Sequence, residues 1–199
     1  MILHTIDMTV LGIDPGSRKF GWAVVQQRGK LVQRLAGGVV RLNGELPERL
    51  GEILTNMTAL LDAHVVQALA IESAFVHANP RTALVLGQAR GVPIALAAAR
   101  SLPVFEYAPA AVKRAIVGSG RAEKHQMQHM IAATLGLTDL PAEDEADALA
   151  IAVMHLRQQT FAVQARPSVK IAAAAPLMTP ARAAYLQAVN QAKAARRSR

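Results

Sequence analysis

The chain has 199 residues, 52% of them hydrophobic and only 4% aromatic, and it contains no cysteine. This composition supports one domain with a real core, and it excludes global disorder, disulfides and thiolate zinc sites. All 14 acids and 14 of the 22 Lys and Arg precede residue 157, so the net charge of +8 sits in an acid-free C-terminal segment. A basic arm on a neutral body suits a polyanionic partner such as nucleic acid, and equally a solubilising tail. The longest unbroken apolar runs, such as Gly91–Ala99, fall far short of the ~18 residues a membrane helix needs. His4 and Asp7 interrupt the apolar N-terminus and argue against a signal peptide. The chain therefore reads as a soluble cytoplasmic protein with no membrane partner.

Thr9–Asp14 and Phe20–Gln26 read as strands joined by the short Pro15–Lys19 loop, hence a hairpin. Leu31–Leu42 is a third strand, with Gly37-Gly38 suggesting a bulge. An amphipathic helix follows, with Leu46, Leu50, Ile53, Leu54, Met57, Leu60 and Leu61 on one face. Ala68–Glu72 is a short fourth strand. A long helix spans about Pro80 to Arg100, with Pro80 in its first turn and Pro93 set to kink it. Val104–Tyr107 is a fifth strand, and Pro109 opens another helix. Further helices are expected from about Ala122 to Leu135, ending near Gly136, and from about Pro141 to Gln158. Residues 1–158 thus form the folded domain. Residues 159–199 form a basic, Ala-rich tail expected to be largely mobile, with Pro180–Lys193 as an exposed helix.

This order, β-β-β-α-β-α-β-α-α-α, gives an α/β fold. Three strands in succession make an antiparallel meander, and strands separated by helices add parallel crossovers. The expected result is a five-stranded mixed sheet flanked by helices on both faces.

Acids punctuate this plan. Asp14 ends the first strand, Glu72 ends the fourth, and Asp144 and Asp147 share one face of the last helix at a spacing of three. If strands one and four are parallel neighbours, their C-terminal ends bring Asp14 and Glu72 together, and the last helix can deliver the other pair. Four like charges at close range favour protonation unless cations neutralise them. Magnesium takes oxygen ligands, and two ions ~4 Å apart can activate water and stabilise a leaving oxygen at phosphorus. Taken singly, each acid has an ordinary role: Asp-Pro-Gly opens a turn, and first-turn acids complement the helix macrodipole.

Five ordered segments carry a resemblance: LGIDPGSRKFGWAVV, AIESAFVHAN, LGQARG, VFEYAPAAVKRAIVGSGRAEKHQMQHMI and DEADALAIAVMHL. Over about Val10 to Arg157 they resemble the RuvC family of bacterial Holliday-junction resolvases. The resemblance implies a ribonuclease-H-like fold and a homodimer that nicks two like-polarity strands of a four-way junction. It implies Mg2+, with Mn2+ as a substitute, two ions per subunit, products with 5′-phosphate and 3′-hydroxyl ends, and cooperation with the RuvA–RuvB branch-migration complex. It assigns the metal-binding, catalytic carboxylates to Asp14, Glu72, Asp144 and Asp147, the four that strand-end reasoning selects.

The resemblance also implies DNA contacts. Phe75 would stack on or wedge the junction, and Lys113 and Lys124 would meet the scissile phosphate. Asn79 would contact DNA or cap the helix that follows it. Glu143 and Glu145 flank Asp144 where relatives tend to carry small residues, and Glu145 is a candidate to support the site. His125 and His129, four apart on a helix, read as surface or packing residues because no third ligand accompanies them. Ala83, Gly87, Gly91, Ala95 and Ala99 form a row of small residues, suited to packing on the protein's own sheet or to a dimer interface. Two rival classes are a phosphotransferase of the actin and sugar-kinase type, whose first hairpin also carries a GID-G pattern, and a non-catalytic junction binder.

Overall fold

The computed structural model describes residues 7–73, 79–121 and 123–165. The strands are β1 (Asp7–Pro15), β2 (Lys19–Arg28), β3 (Leu31–Arg41), β4 (Ala68–Glu72) and β5 (Val104–Tyr107). The helices are α1 (Leu46–Ala63), α2 (Pro80–Ala99), α3 (Pro109–Val117), α4 (Lys124–Leu135) and α5 (Glu143–Ala165). The elements follow the expected order. They build one sheet in the order β3-β2-β1-β4-β5, antiparallel across β3-β2-β1 and parallel across β1-β4-β5.

Side-chain size alternates along the central strands, and this decides what each face of the sheet can carry. Leu11, Ile13, Phe20, Val24, Leu69 and Ile71 point to one face, where α1 and α2 cover them. Val10, Ala23, Val25, Ala68 and Ala70 point to the other, against α3, α4 and α5. Small residues on that second face let a helix lie close to the sheet. A Cβ at Gly12 would collide with the backbone oxygen of Ala148, and one at Gly21 with that of Asp144. Helix α5 therefore rests directly on β1 and β2. It is buried all round from Ala148 to Val153, as a helix enclosed between a sheet and other helices must be.

Several local expectations shift. The bulge lies at Leu35 rather than at Gly37-Gly38: Val24 pairs with Ala36 and Val25 with Arg34, leaving Leu35 as the extra residue. The two glycines stay in the ladder, and the missing side chain of Gly37 makes room for the Glu145 carboxylate. Leu54 leaves the apolar face of α1 and is 47% exposed, while Ile53 and Met57 are buried. Helix α2 runs through the buried Pro93 as a single element. Helix α4 starts at Lys124, because Glu123 and Gln126 form a reciprocal capping box. Helix α5 begins at Glu143 and continues past Gln158 to Ala165. Phe75, Ala122 and the expected tail helix lie outside the described residues.

The small-residue row of α2 does not pack on the sheet. Gly87, Gly91, Ala95 and Ala99 are exposed, and the space above Gly87 and Gly91 is open. Among the described residues α2 is also the one helix long and apolar enough to cross a membrane, although only 17% of its most apolar window is buried. The apolar character is spread over the whole helix, which a count of unbroken runs underrates.

Candidate active site

Strand parity places the first two acids. On β1, Asp14 has the parity of Val10 and Gly12; on β4, Glu72 has the parity of Ala68 and Ala70. Both carboxylates therefore emerge on the α5 face at the C-terminal ends of adjacent parallel strands, just past the Ile13–Ile71 pair. The chain turns away at once after Asp14, because Gly16 N–H donates back to the Asp14 carbonyl at 3.2 Å. The Arg49 side chain of α1 pins this loop by donating to the Ser17 carbonyl at 2.5 Å. Asp14 pairs across β2 with Gly21, over which the Asp144 backbone lies. The glycine contact thus brings the first turns of α5, with Asp144 and Asp147, to the two strand ends.

The four acids act on one another. Burial, then the charges of Glu72, Asp147 and Asp144, push the Asp14 carboxyl up to about 8. Burial and the charge of Asp147 push Glu72 up to about 7. Burial also raises Asp147, against the opposing pull of Lys113 and Lys124. Proton affinities this high mark a carboxylate cluster whose negative charge the protein leaves uncompensated. Among the described residues no three acidic or histidine side chains close around one point tightly enough to hold an ion by themselves. The donor set is an open group of hard oxygens, the chemistry that magnesium shares with water and phosphate.

Three lysines rim this group. Lys113 of α3 stands among Glu72, Asp147 and an apolar floor of Pro109, Val112, Met127 and Ile151, which line a pocket of about 150 Å³. Lys124, the first residue of α4, is exposed and ion-paired to Glu143 at 2.9 Å, and its charge reaches Asp14, Asp144 and Asp147. Lys19, which sequence reasoning did not single out, opens β2 with its Nζ 3.8 Å from Asp144 Oδ2. Its signal was available, since it shares strand parity with Gly21 and Ala23 on the α5 face.

Other candidates take different places. Glu145 turns away from the acid cluster. It is buried and paired with Arg34 of β3 at 2.6 Å, so it braces α5 against the sheet edge rather than supporting the cluster. Asn79 caps α2, its side-chain oxygen accepting from the N–H groups of Arg81 at 2.9 Å and Thr82 at 3.3 Å. His125 sits 3.3 Å from Glu123 at the start of α4, and with His129 it borders a shallow surface groove away from the acids. A buried histidine also escaped notice. His155 of α5 shares a 2.7 Å hydrogen bond with the Tyr107 hydroxyl and packs on Phe105, and burial holds it down at about 4.

Comparison with known proteins bears on the family and the fold. Residues 10–155 match the sequence profile of the family described as crossover junction endodeoxyribonuclease RuvC. The protein of that name from Anaeromyxobacter sp. (strain K) is 53% identical over 162 residues, spanning 79% of this chain and 85% of its own length. Among solved structures, Thermus thermophilus RuvC in complex with a Holliday junction substrate superposes with a TM-score of 0.73 at 33% identity, covering 78% of this chain and 96% of that one. The yeast mitochondrial Holliday junction resolvase Ydc2 shares the fold, with a TM-score of 0.61 at 16% identity over 79% of this chain and 81% of that one.

Proposed function

The chain belongs to the RuvC family of crossover junction endodeoxyribonucleases, and on that premise we propose how its own residues divide the work. It is a metal-dependent nuclease that resolves Holliday junctions, with a ribonuclease-H-like fold. The phosphotransferase and pure-binder readings fall with that membership. The observation that carries the residue assignment is the gathering at one sheet rim of three under-neutralised carboxylates, Asp14, Glu72 and Asp147, with Asp144 beside them and lysines around them.

Asp14, Glu72, Asp144 and Asp147 are the metal ligands and catalytic residues, holding two Mg2+ per subunit with Mn2+ as a substitute. Ions bound there would supply an activated water and charge stabilisation for in-line displacement at phosphorus, which would leave 5′-phosphate and 3′-hydroxyl ends. Lys113 shares a pocket with Glu72 and Asp147, and it holds the scissile phosphate beside them. Lys124 and Lys19 approach the neighbouring backbone from the sides of α4 and β2. Phe75 stacks on a base exposed where the junction opens. Asn79 serves DNA binding by capping α2, the helix that follows Phe75 in the chain.

The working unit is a homodimer, because two symmetric cuts require two sites about one axis. The exposed apolar row of α2 is the surface that a second copy covers, which accounts for a long apolar helix that its own domain leaves mostly open. We place the enzyme in the bacterial cytoplasm, working with the RuvA–RuvB complex on recombination intermediates. The test is a synthetic four-way junction, labelled in turn on each strand and incubated with Mg2+. Nicks at matching positions in two like-polarity strands, sealable by DNA ligase, are expected. Cuts in strands of opposite polarity, or ends that ligase rejects, would overturn the proposal.

A further inference from the structure

We infer that Arg90 of α2 is a positioning residue for the reaction: its guanidinium fixes the end of β4 that carries Glu72, and Glu106 of β5 fixes the guanidinium. Arg90 Nε donates to the Glu72 backbone carbonyl at 3.0 Å. Its Nη2 lies 2.6 Å from Glu106 Oε2, with the arginine side chain only 15% exposed. One planar group thus ties α2 to the rims of two adjacent strands.

The strand end needs this tie. The described β1–β4 ladder stops at the Ile13–Ile71 pair, and β1 then reaches Pro15, which has no N–H to donate. On the other side, β5 ends at Tyr107, whose carbonyl accepts the Ser73 N–H at 2.9 Å. On its β1 side Glu72 therefore sits past the end of the ladder, and the arginine supplies a donor to its carbonyl there. The guanidinium reaches the backbone from the α2 face while the carboxylate emerges on the α5 face, so Arg90 sets the carboxylate through the peptide rather than by touching it. A guanidinium suits this role because its Nε–H can hold a carbonyl while its delocalised charge stays paired with the Glu106 carboxylate; a compact ammonium does not combine the two. Misplacement of a reacting group by ~1 Å can cost ~100-fold in rate.

The inference rests on Glu72 being a metal ligand, and the experiment separates the two claims. Arg90→Met, Arg90→Lys, Glu106→Gln and Glu72→Gln are compared with wild type by Mn2+ binding to the DNA-free protein, followed by electron paramagnetic resonance. Hydrogen exchange at the Ser73 amide, metal-free junction binding and the Mg2+ dependence of cleavage complete the set. Arg90→Met is expected to bind junctions as wild type does, to exchange Ser73 faster, and to bind Mn2+ about tenfold more weakly. Its cleavage falls by about tenfold or more at low Mg2+ and recovers in part at high Mg2+. Arg90→Lys and Glu106→Gln move the same readouts less. Unchanged Mn2+ affinity in folded Arg90→Met, or a cleavage defect that no Mg2+ concentration relieves, would overturn the inference. Should Arg90→Met not fold, Glu106→Gln decides on the same readouts. Wild-type Mn2+ binding by Glu72→Gln would remove the ligand assignment and the role of Arg90 with it.

Discussion

Asp14 opens a Pro-Gly turn and also carries a carboxylate whose proton is hard to remove; the first role serves the second. Its carboxyl and that of Glu72 rise to about 8 and about 7, from the 3.8 and 4.5 of free side chains. Between about pH 4 and 8 the folded protein therefore retains protons that the unfolded chain has released, and stability drains away as pH rises through that window. The metal-free protein should melt at progressively lower temperature from pH 5 to pH 8. Asp14→Asn should flatten part of that slope, and saturating Mg2+ should flatten more of it. Equal slopes in wild type and Asp14→Asn would show that the acid is not strained. Glu143 makes a different case. It holds Lys124 by an exposed ion pair, a kind of contact that adds little to stability because water screens it. Glu143→Ala should leave the melting temperature unchanged and tighten junction binding at low salt by freeing Lys124 and removing a charge that repels DNA; weaker binding would mean that Glu143 orients the lysine for its contact.

At the level of elements, the site is built by helix α5 lying on two glycines. A methyl group at Gly21 would strike the Asp144 carbonyl, so Gly21→Ala must lift the start of α5. A cost of about 1–3 kcal/mol is expected from such overpacking, with cleavage lost before junction binding. Wild-type cleavage by a folded Gly21→Ala would show that α5 need not touch β2. Glycines on α2 behave oppositely, since nothing lies above Gly87 or Gly91. Gly91→Glu should fold yet sediment as a monomer, and an intact dimer would move the interface off this face. The element order, the mixed sheet and the positions of the acids at strand ends and on one helix face were legible because their signals are local: short apolar runs ending in acids, and a spacing of three on a helix. The contacts that hold the quartet together were less so. Gly12 and Gly21 look like weak strand residues until α5 is known to lie on them. Arg34 and Glu145 are 111 positions apart and meet only because β3 lies at the sheet edge beside α5. Arg90, inside an apolar helix, gave no sign of the backbone carbonyl it serves. The bulge was misplaced because glycine signals it only when no side chain needs that space, and at Gly37 the Glu145 carboxylate needs it.

For the whole molecule, the charge is divided unevenly along the chain. Eight Lys and Arg with no acid lie beyond residue 156, while the nuclease body has equal numbers of each sign. Because α5 continues to Ala165, a clean truncation falls after that residue and not within the helix. Removing residues 166–199 should make junction affinity less steeply dependent on salt, since fewer phosphate contacts release fewer counterions, with the cleavage rate at saturating enzyme preserved. An unchanged slope would make the segment a bystander. The central claim is that the four carboxylates form the metal site that cuts. It is tested most directly by gel-shift and cleavage assays on one four-way junction, using wild type, Asp14→Asn and Asp147→Asn in Mg2+. Both variants should bind the junction at least as tightly as wild type, because a repelling charge is gone, and leave it uncut. Full cleavage by either variant would contradict the account.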